Sequence, residues 1–273
     1  MELIEILKVV VLGIVEGVTE WLPISSTGHM LLVDEFIHMN VSESFKDMFF
    51  VVIQLGAILA VVMLFWDKMW PFQTKDKSKP VIRKDVFSMW FKVVVACIPG
   101  AIVTLLFDDY IEAHLHTPTV IALALVVYGV AFIVIENWNK NRTPKVLTLE
   151  DISYKTAFII GLFQVLSIIP GTSRSGSTII GALTIGVSRV AAAEFTFFLA
   201  VPVMIGLSFI KILKFGFSFT SVELMTLAIG CVVAFLVSVL VIKFLMSYIK
   251  KRDFKIFGWY RIVLGVILLL YFM

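Results

Sequence analysis

Glu16 and Glu20 stand at i, i+4 in the otherwise apolar frame GIVEGVTEWLP, so they share one face of a helix. Two carboxylates facing lipid would be very costly, so the pair belongs against an interior cavity. Such a pair can bind a hard divalent cation (Mg²⁺ or Ca²⁺), which prefers oxygen ligands, or act as acid and base; the plainer role is to hold a helix break together. After Pro23 comes Ser25-Ser26-Thr27-Gly28-His29. Hydroxyls and free backbone N–H groups at the start of a short helix make an anion site, and a histidine beside them can move a proton or attack phosphorus. A Ser/Thr run alone is more often an N-cap, so the signal lies in its combination with the two carboxylates. A second polar element, Thr172-Ser173-Arg174-Ser175-Gly176-Ser177-Thr178, centres on Arg174. An arginine fork matches phosphate oxygens, and the flanking Ser173 and Ser175 add donors. Snorkelling is the alternative for Arg174, but it lies roughly twenty residues past the polar loop at 152–155, too deep to reach the surface along its own helix.

The rest of the chain must hold these groups inside a membrane. Hydrophobic residues make up 60% of the 273 and charged residues 16%, with a mean hydropathy of +1.00. A soluble fold could not hide that much apolar surface. Apolar stretches at about 47–66, 86–107, 117–137, 190–213, 222–249 and 255–273 are each near or above the roughly 20 residues that cross a bilayer as a helix. Two further regions, 3–38 and 152–187, are apolar but broken at Leu22–Gly28 and Pro170–Gly176. Proline removes a donor and glycine relaxes the backbone, so both read as helix–break–helix hairpins whose arms are mostly too short to span. Irregular backbone at that depth survives only where protein buries it or a cavity receives it.

The two breaks suggest an internal repeat. Gly13 and Gly28 lie 148 positions before Gly161 and Gly176, and the same offset carries Ser25 onto Ser173 and Thr27 onto Ser175. Each half is then one re-entrant hairpin followed by three spans, an odd number that reverses polarity and makes the halves inverted copies. This predicts an all-α polytopic membrane protein with one integral domain over 1–273: repeat 1 at about 1–138, a loop at 139–151 and repeat 2 at about 152–273. Basic residues set the orientation. Lys68, Lys75, Lys77, Lys79, Arg83, Lys84 and Lys92 fill one connection, Lys140, Arg142, Lys145 and Lys155 the next, and Lys250, Lys251, Arg252 and Lys255 the last; the 108–116 turn carries Asp108, Asp109 and Glu112. With the basic loops cytoplasmic, both termini lie outside.

Other features carry less chemistry. Cys97 and Cys231 sit in apolar runs and read as structural thiols. The N-terminus lacks the basic region and cleavage site of a signal peptide, so it is expected to stay in the mature chain. Gln54 and Glu194 read as polar groups that either support the site from behind or satisfy their own helices, Lys211 and Lys214 as interfacial, and His114 and His116 as a solvated turn. The pairs Gly56/Ala60 and Gly230/Ala234 suit helix contacts within the chain or in a homodimer. A net charge of +3 gives no reason to expect a nucleic-acid partner.

The segments GIVEGVTEWLPISSTGHM, FFVVIQLGAILAVV and IIPGTSRSGSTIIGAL closely resemble the undecaprenyl-diphosphatase family, also known for bacitracin resistance, and the likeness runs over essentially the whole chain. The resemblance implies an enzyme of the bacterial plasma membrane that takes the terminal phosphate from undecaprenyl diphosphate, recycling the carrier lipid for peptidoglycan. It also implies divalent-cation dependence and an inverted-repeat fold. It puts the family's Glu-x-x-x-Glu pair on Glu16 and Glu20, its serine–threonine–glycine–histidine element on Ser26, Thr27, Gly28 and His29, and its arginine loop on Ser173, Arg174, Ser175 and Gly176. The expected division of labour has Arg174, with Ser173, Ser175, Ser25 and Thr27, on phosphate, and Glu16 and Glu20 on the cation. Ser26 or His29 attacks or activates a water, with Ser26 as nucleophile and His29 as its base preferred. Type 2 phosphatidic-acid phosphatases would need a histidine shortly after their Ser-Arg pair, and Ser175-Gly176-Ser177-Thr178-Ile179-Ile180 offers none. The rival class is a lipid-carrier flippase or ion-coupled transporter, because broken helices in inverted repeats also suit alternating access.

Overall fold

The structure is a computed structural model that describes residues 2–73, 80–115 and 117–272, leaving out the side chains of Leu31 and of 108–113. The expectations resting on Lys75, Lys77, Lys79, Asp108, Asp109, Glu112 and His116 lie outside the described residues. The chain is helical almost throughout: α1 (Leu3–Thr19), α2 (Ser26–Phe36), α3 (Glu43–Val52), α4 (Gln54–Leu64), α5 (Trp66–Met69), α6 (Lys84–Leu115), α7 (Pro118–Asn139), α8 (Tyr154–Val165), α9 (Arg174–Thr184), α10 (Arg189–Phe215), α11 (Ser221–Ile249) and α12 (Lys255–Phe272).

Six helical stretches among the described residues are long and apolar enough to cross a membrane: Glu43–Leu64, Lys84–Phe107, Pro118–Asn139, Arg189–Phe215, Ser221–Ile249 and Lys255–Phe272. They match the six apolar runs of the sequence to within a few residues. The first joins α3 to α4 across Ile53. One connection differs from expectation, since α6 continues to Leu115 where a turn over 108–116 was expected. No helix breaker intervenes before Thr117, whose hydroxyl caps α7 with Pro118 in its first turn.

The broken regions form as expected. Their arms α1, α2, α8 and α9 have 17, 11, 12 and 11 residues. At about 1.5 Å per residue none reaches the roughly 30 Å of a hydrocarbon core. Ser25 and Ser173 have φ of 75° and 71°, the two positive values outside glycine among the described residues. A residue with a Cβ pays about 1–2 kcal/mol for that conformation. Each serine offsets the strain as the N-cap of its helix: the Gly28 N–H donates to Ser25 Oγ at 3.3 Å and the Gly176 N–H to Ser173 Oγ at 3.2 Å. The two breaks therefore share geometry as well as the 148-residue offset. At Gly171 φ is 91°, and a Cβ there would fall 2.5 Å from the Ile121 carbonyl oxygen.

Glycines seal the helix crossings and give their directions. A Cβ at Gly13 would touch Gly230 and Val233, and one at Gly17 would touch Ala234 and Val237, so α1 runs parallel to α11. Gly161 approaches Ala96 and Gly100 approaches Gln164, so α8 runs parallel to α6. Gly258 meets Gly129 and Gly265 meets Ala122, so α12 is antiparallel to α7. The core centres on α10, where Ala191 to Ala200 are all buried and whose faces meet α3, α4, α6 and α9. Outward-facing side chains are apolar: Leu105, Leu240 and Leu270 are 76%, 69% and 80% exposed, as suits a lipid-facing wall. The small pairs Gly56/Ala60 and Gly230/Ala234 are used within the chain, because Gly56 abuts Cys231, Gly230 abuts Ile53 and both alanines are buried. Cys97 and Cys231 are free, partly buried thiols.

The α4–α11 crossing gives a direct test of this packing. A Cβ at Gly56 would lie 2.1 Å from the Cys231 carbonyl oxygen, whereas one at Gly206 would meet nothing within 4 Å. Gly56→Ala should cost about 1–3 kcal/mol and lower the melting temperature in detergent by several degrees, while Gly206→Ala leaves it unchanged or raises it. Equal melting temperatures for the two variants would contradict the close approach.

Candidate active site

The two breaks meet. Glu20, the residue after α1, is buried, and its two carboxylate oxygens accept from different hairpins: Arg174 Nη2 donates to Oε1 at 2.8 Å and Ser26 Oγ donates to Oε2 at 2.6 Å. Ser175 Oγ donates to the Glu20 backbone carbonyl at 3.2 Å, a second tie between the hairpins. Arg174 Nη1 donates to the Thr196 carbonyl of α10 at 3.0 Å, which anchors the guanidinium to the core helix. Thr178 reinforces that wall, its hydroxyl 2.8 Å from the Thr196 hydroxyl.

A second arginine lies beneath both loops. Arg261, on α12, is fully buried; its Nη1 donates to the Pro23 carbonyl at 3.1 Å, and its Nη2 donates to the carbonyls of Gly171 at 2.7 Å and Thr172 at 3.0 Å. Broken helices leave carbonyls without intrahelical partners, and one guanidinium satisfies three of them, from both breaks. Its charge also lies over the Tyr128 ring, 5.5 Å from the centroid.

His29 sits at the edge of the cluster. Its Nδ1 is 2.7 Å from the Ser25 carbonyl, which can only accept, so Nδ1 carries the proton. Nε2 is 2.7 Å from the Tyr260 hydroxyl, and the two rings stack with centroids 5.6 Å apart. Tyr260 is 45% exposed on the outer face of α12, so the histidine connects the buried cluster to the protein's rim.

The sequence-derived site residues thus largely converge, with differences in partnership. Glu20, Ser26, Arg174 and Ser175 form one hydrogen-bonded chain. Ser25 and Ser173 act as helix caps at its margins, and the Ser173 and Ser175 hydroxyls lie 3.1 Å apart. The expected Ser26–His29 pairing is absent: Ser26 gives its proton to Glu20, and both ring nitrogens of His29 are engaged elsewhere. Thr27 lies apart, exposed on the other side of the α2 first turn. Glu16 is buried to 1% exposure, and neither of its oxygens has a hydrogen-bond partner. Glu194 stays outside the cluster, in an ion pair with Lys68 at 2.7 Å.

The donor set fits a hard cation. Buried carboxylate oxygens without partners are costly, and Glu16 presents two of them one helical turn from Glu20. Among the described residues no group of three or more His, Cys, Asp or Glu side chains converges as a complete metal cage. A carboxylate pair suits Mg²⁺, which keeps waters and draws further ligands from substrate phosphates.

Arg261 and Tyr260 were missed in the sequence because they sit in a span read only as apolar. The signal was present: a cation inside a membrane-length helix is a site hypothesis on its own. The same rule would have marked Glu136, which is buried near the end of α7 and ion-paired with Arg189.

Known proteins are similar to this chain over nearly its whole length. Residues 9–267 match the family described as "Bacitracin resistance protein BacA". The chain is 74% identical over 270 residues to an undecaprenyl-diphosphatase of Enterococcus faecalis, covering 99% of this chain and 98% of that one. It is 62% identical over 273 residues to undecaprenyl-diphosphatases of Lachnoclostridium phytofermentans and Desulfitobacterium hafniense, covering 100% of this chain and 99% and 98% of theirs.

If Arg261 holds the two breaks together, Arg261→Met should destabilise the protein by about 3–5 kcal/mol through unpaired loop carbonyls. Thermal unfolding in detergent reads this. A melting temperature within a degree of the parent would mean that the loops hold themselves.

Proposed function

The chain belongs to the bacitracin resistance protein BacA family, and we propose that its buried carboxylate–guanidinium cluster is where it removes the terminal phosphate of undecaprenyl diphosphate. The activity is hydrolysis of that lipid diphosphate in the membrane. The single observation that carries the site assignment is Glu20 bridging Arg174 and Ser26, residues from opposite halves of the chain. A phosphate clamp and a hydroxyl nucleophile are thereby held on either side of one base.

In this reading Arg174 binds the terminal phosphate and stabilises the charge that develops on its equatorial oxygens. Ser26 Oγ attacks the terminal phosphorus, and its proton passes to Glu20, to which it is already hydrogen-bonded. The bond from phosphorus to the bridging oxygen breaks, and the lipid monophosphate leaves with that oxygen. Water then hydrolyses the phosphoserine, releasing inorganic phosphate and restoring the Ser26 hydroxyl. Glu16, with Glu20, would hold a divalent cation (Mg²⁺ or Ca²⁺), which when bound supplies charge neutralisation to the diphosphate. His29, hydrogen-bonded through Nδ1–H to the Ser25 carbonyl, positions the backbone that presents Ser26, and its Nε2 accepts a hydrogen bond from the Tyr260 hydroxyl. Assigning Glu20 rather than His29 as the base follows from the hydrogen bond that Ser26 makes.

We read the halves as inverted copies, with the first hairpin and both termini outside and the basic loops cytoplasmic. Supporting this, α7 and α12, the last spans of the two halves, pack antiparallel. Had α8 and α9 crossed together as one span, the third and sixth spans would run the same way. The reciprocal packing of α1 on α11 and of α8 on α6 is what a pseudo-two-fold exchange of halves requires.

Purified protein in detergent separates the enzyme from a carrier, because phosphate release needs no two-sided membrane. With labelled long-chain prenyl diphosphate, wild type should release phosphate in a cation-dependent manner and form a trappable phosphoenzyme. Ser26→Ala should abolish both, lowering the rate at least about a hundredfold, while His29→Ala keeps the phosphoenzyme. A phosphoenzyme that survives Ser26→Ala and vanishes in His29→Ala would reverse the assignment.

A further inference from the structure

The opposite end of α9 from Arg174 opens into a separate cavity. It measures about 630 Å³ and is walled by the end of α7, the 142–145 segment, the α9–α10 turn and the first residues of α10. Lys140, Arg142, Lys145 and Arg189 line it against one carboxylate, Glu136. That carboxylate is already committed: Arg189 binds it through Nε at 2.9 Å and through Nη2, and the Phe254 N–H donates to it at 3.0 Å. Lys140 and Lys145 have no ion-pair or hydrogen-bond partner for their ammonium groups among the described residues. The Arg142 guanidinium carbon lies over the Trp138 ring, 3.8 Å from its centroid, and its N–H groups are unengaged by any described residue.

The cavity is a constructed one. Lys145 N–H donates to the Gly186 carbonyl at 2.8 Å, Ser188 N–H to the Val146 carbonyl at 2.8 Å, and Ser188 Oγ to the Leu147 carbonyl at 3.0 Å. Asn139 Nδ2 donates to the Leu183 carbonyl at 2.9 Å, tying α7 to the end of α9. These bonds fix the 142–147 segment against the turn in which Gly186 takes φ of 84°. The positive end of the α10 dipole adds to the same wall, while the Thr184 and Ser188 hydroxyls donate to the Ile180 and Leu147 carbonyls and shape it. Positive-inside bias alone accounts for basic loops but not for a walled cavity. The connection at 67–92, by contrast, pairs cations with acids: Arg83 with Asp85 at 3.0 Å, and Lys68 with Glu194 of α10.

The geometry points to a second phosphate-binding site in this cavity, for a phosphate monoester or inorganic phosphate, remote from the catalytic cluster. Three cations free of acidic partners beside a helix N-terminus are what a compact dianion requires. Trp138, 45% exposed beside the cavity, and the half-exposed Tyr154 set it at headgroup level, within reach of a lipid-borne phosphate as well as a free one. About 15 Å of α9, at 1.5 Å per residue, separates it from Arg174. Both products of the hydrolysis carry this chemistry.

The test uses the full chain in detergent with Arg174→Ala in place, so that the outcome does not depend on the catalytic reading. Equilibrium dialysis would follow labelled inorganic phosphate, farnesyl monophosphate and, as the uncharged comparison, farnesol. At least one phosphate probe should bind, and Lys140→Gln/Arg142→Gln/Lys145→Gln should weaken that binding at least tenfold with an unchanged melting temperature. Should the triple variant melt early, Lys140→Gln/Lys145→Gln serves in its place with a loss of at least threefold. Tighter binding of farnesyl monophosphate assigns a lipid source and equal binding a free one. The proposal fails if neither phosphate binds Arg174→Ala protein, if the glutamine variants bind as before, or if farnesol binds as well as its phosphate.

Discussion

The Glu20 carboxylate is the joint on which this protein turns. Buried in a membrane-embedded core, it meets a guanidinium from one half of the chain and a hydroxyl from the other. An ion pair in such a place is costly to assemble, and removing one partner leaves an uncompensated charge, so the pair demands that both hairpins reach it together. Much of the fold serves that requirement. The Ser25 and Ser173 caps start α2 and α9 abruptly, so that Ser26 and Arg174 occupy first helical positions beside Glu20. α10 supplies the Thr196 carbonyl that steadies Arg174, and Arg261 gathers the carbonyls that the two breaks release.

The same economy shapes how a lipid diphosphate is handled. The substrate's charge must enter a region that excludes water while its tail stays in hydrocarbon. In the proposed site a preorganised cluster would do this without drawing solvent in, since its donors are already oriented when the charge arrives. The unpartnered oxygens of Glu16 are the place in the cluster where the proposed cation would be held. The His29–Tyr260 pair marks the side on which the cluster approaches the lipid-facing surface of α12.

Much of this was legible in the sequence, for physical reasons. Spans announce themselves because lipid tolerates little but apolar helix, and the breaks stood out because Pro, Gly and Ser interrupted otherwise continuous runs. Buried Glu16, Glu20 and Arg174 were conspicuous as charges with no cheap place to go. Partnerships were harder to read. Ser26 and His29 were expected to act as nucleophile and base, yet the rotation that turns Ser26 toward Glu20 leaves His29 against Ser25 and Tyr260. Tyr260 lies 231 residues beyond His29 in sequence, and no periodicity reports a contact of that kind. Arg261 escaped notice because a single cation barely lowers the hydropathy of its helix, although it is the residue that binds the two breaks together. Thr27 looked like part of a hydroxyl array, but helical geometry sends adjacent side chains about 100° apart, and it faces away.

The central claim, that Glu20 and Arg174 act as one unit across the two hairpins, is tested most directly by a double-mutant cycle on cation-dependent phosphate release from long-chain prenyl diphosphate. Glu20→Gln, Arg174→Lys and the double variant would be compared with wild type under single-turnover conditions. If the pair is a unit, the double variant is scarcely slower than the worse single variant, and the coupling amounts to about 2 kcal/mol or more. Rate losses that simply multiply would show that the two residues work independently, and the bridged-hairpin account would be wrong.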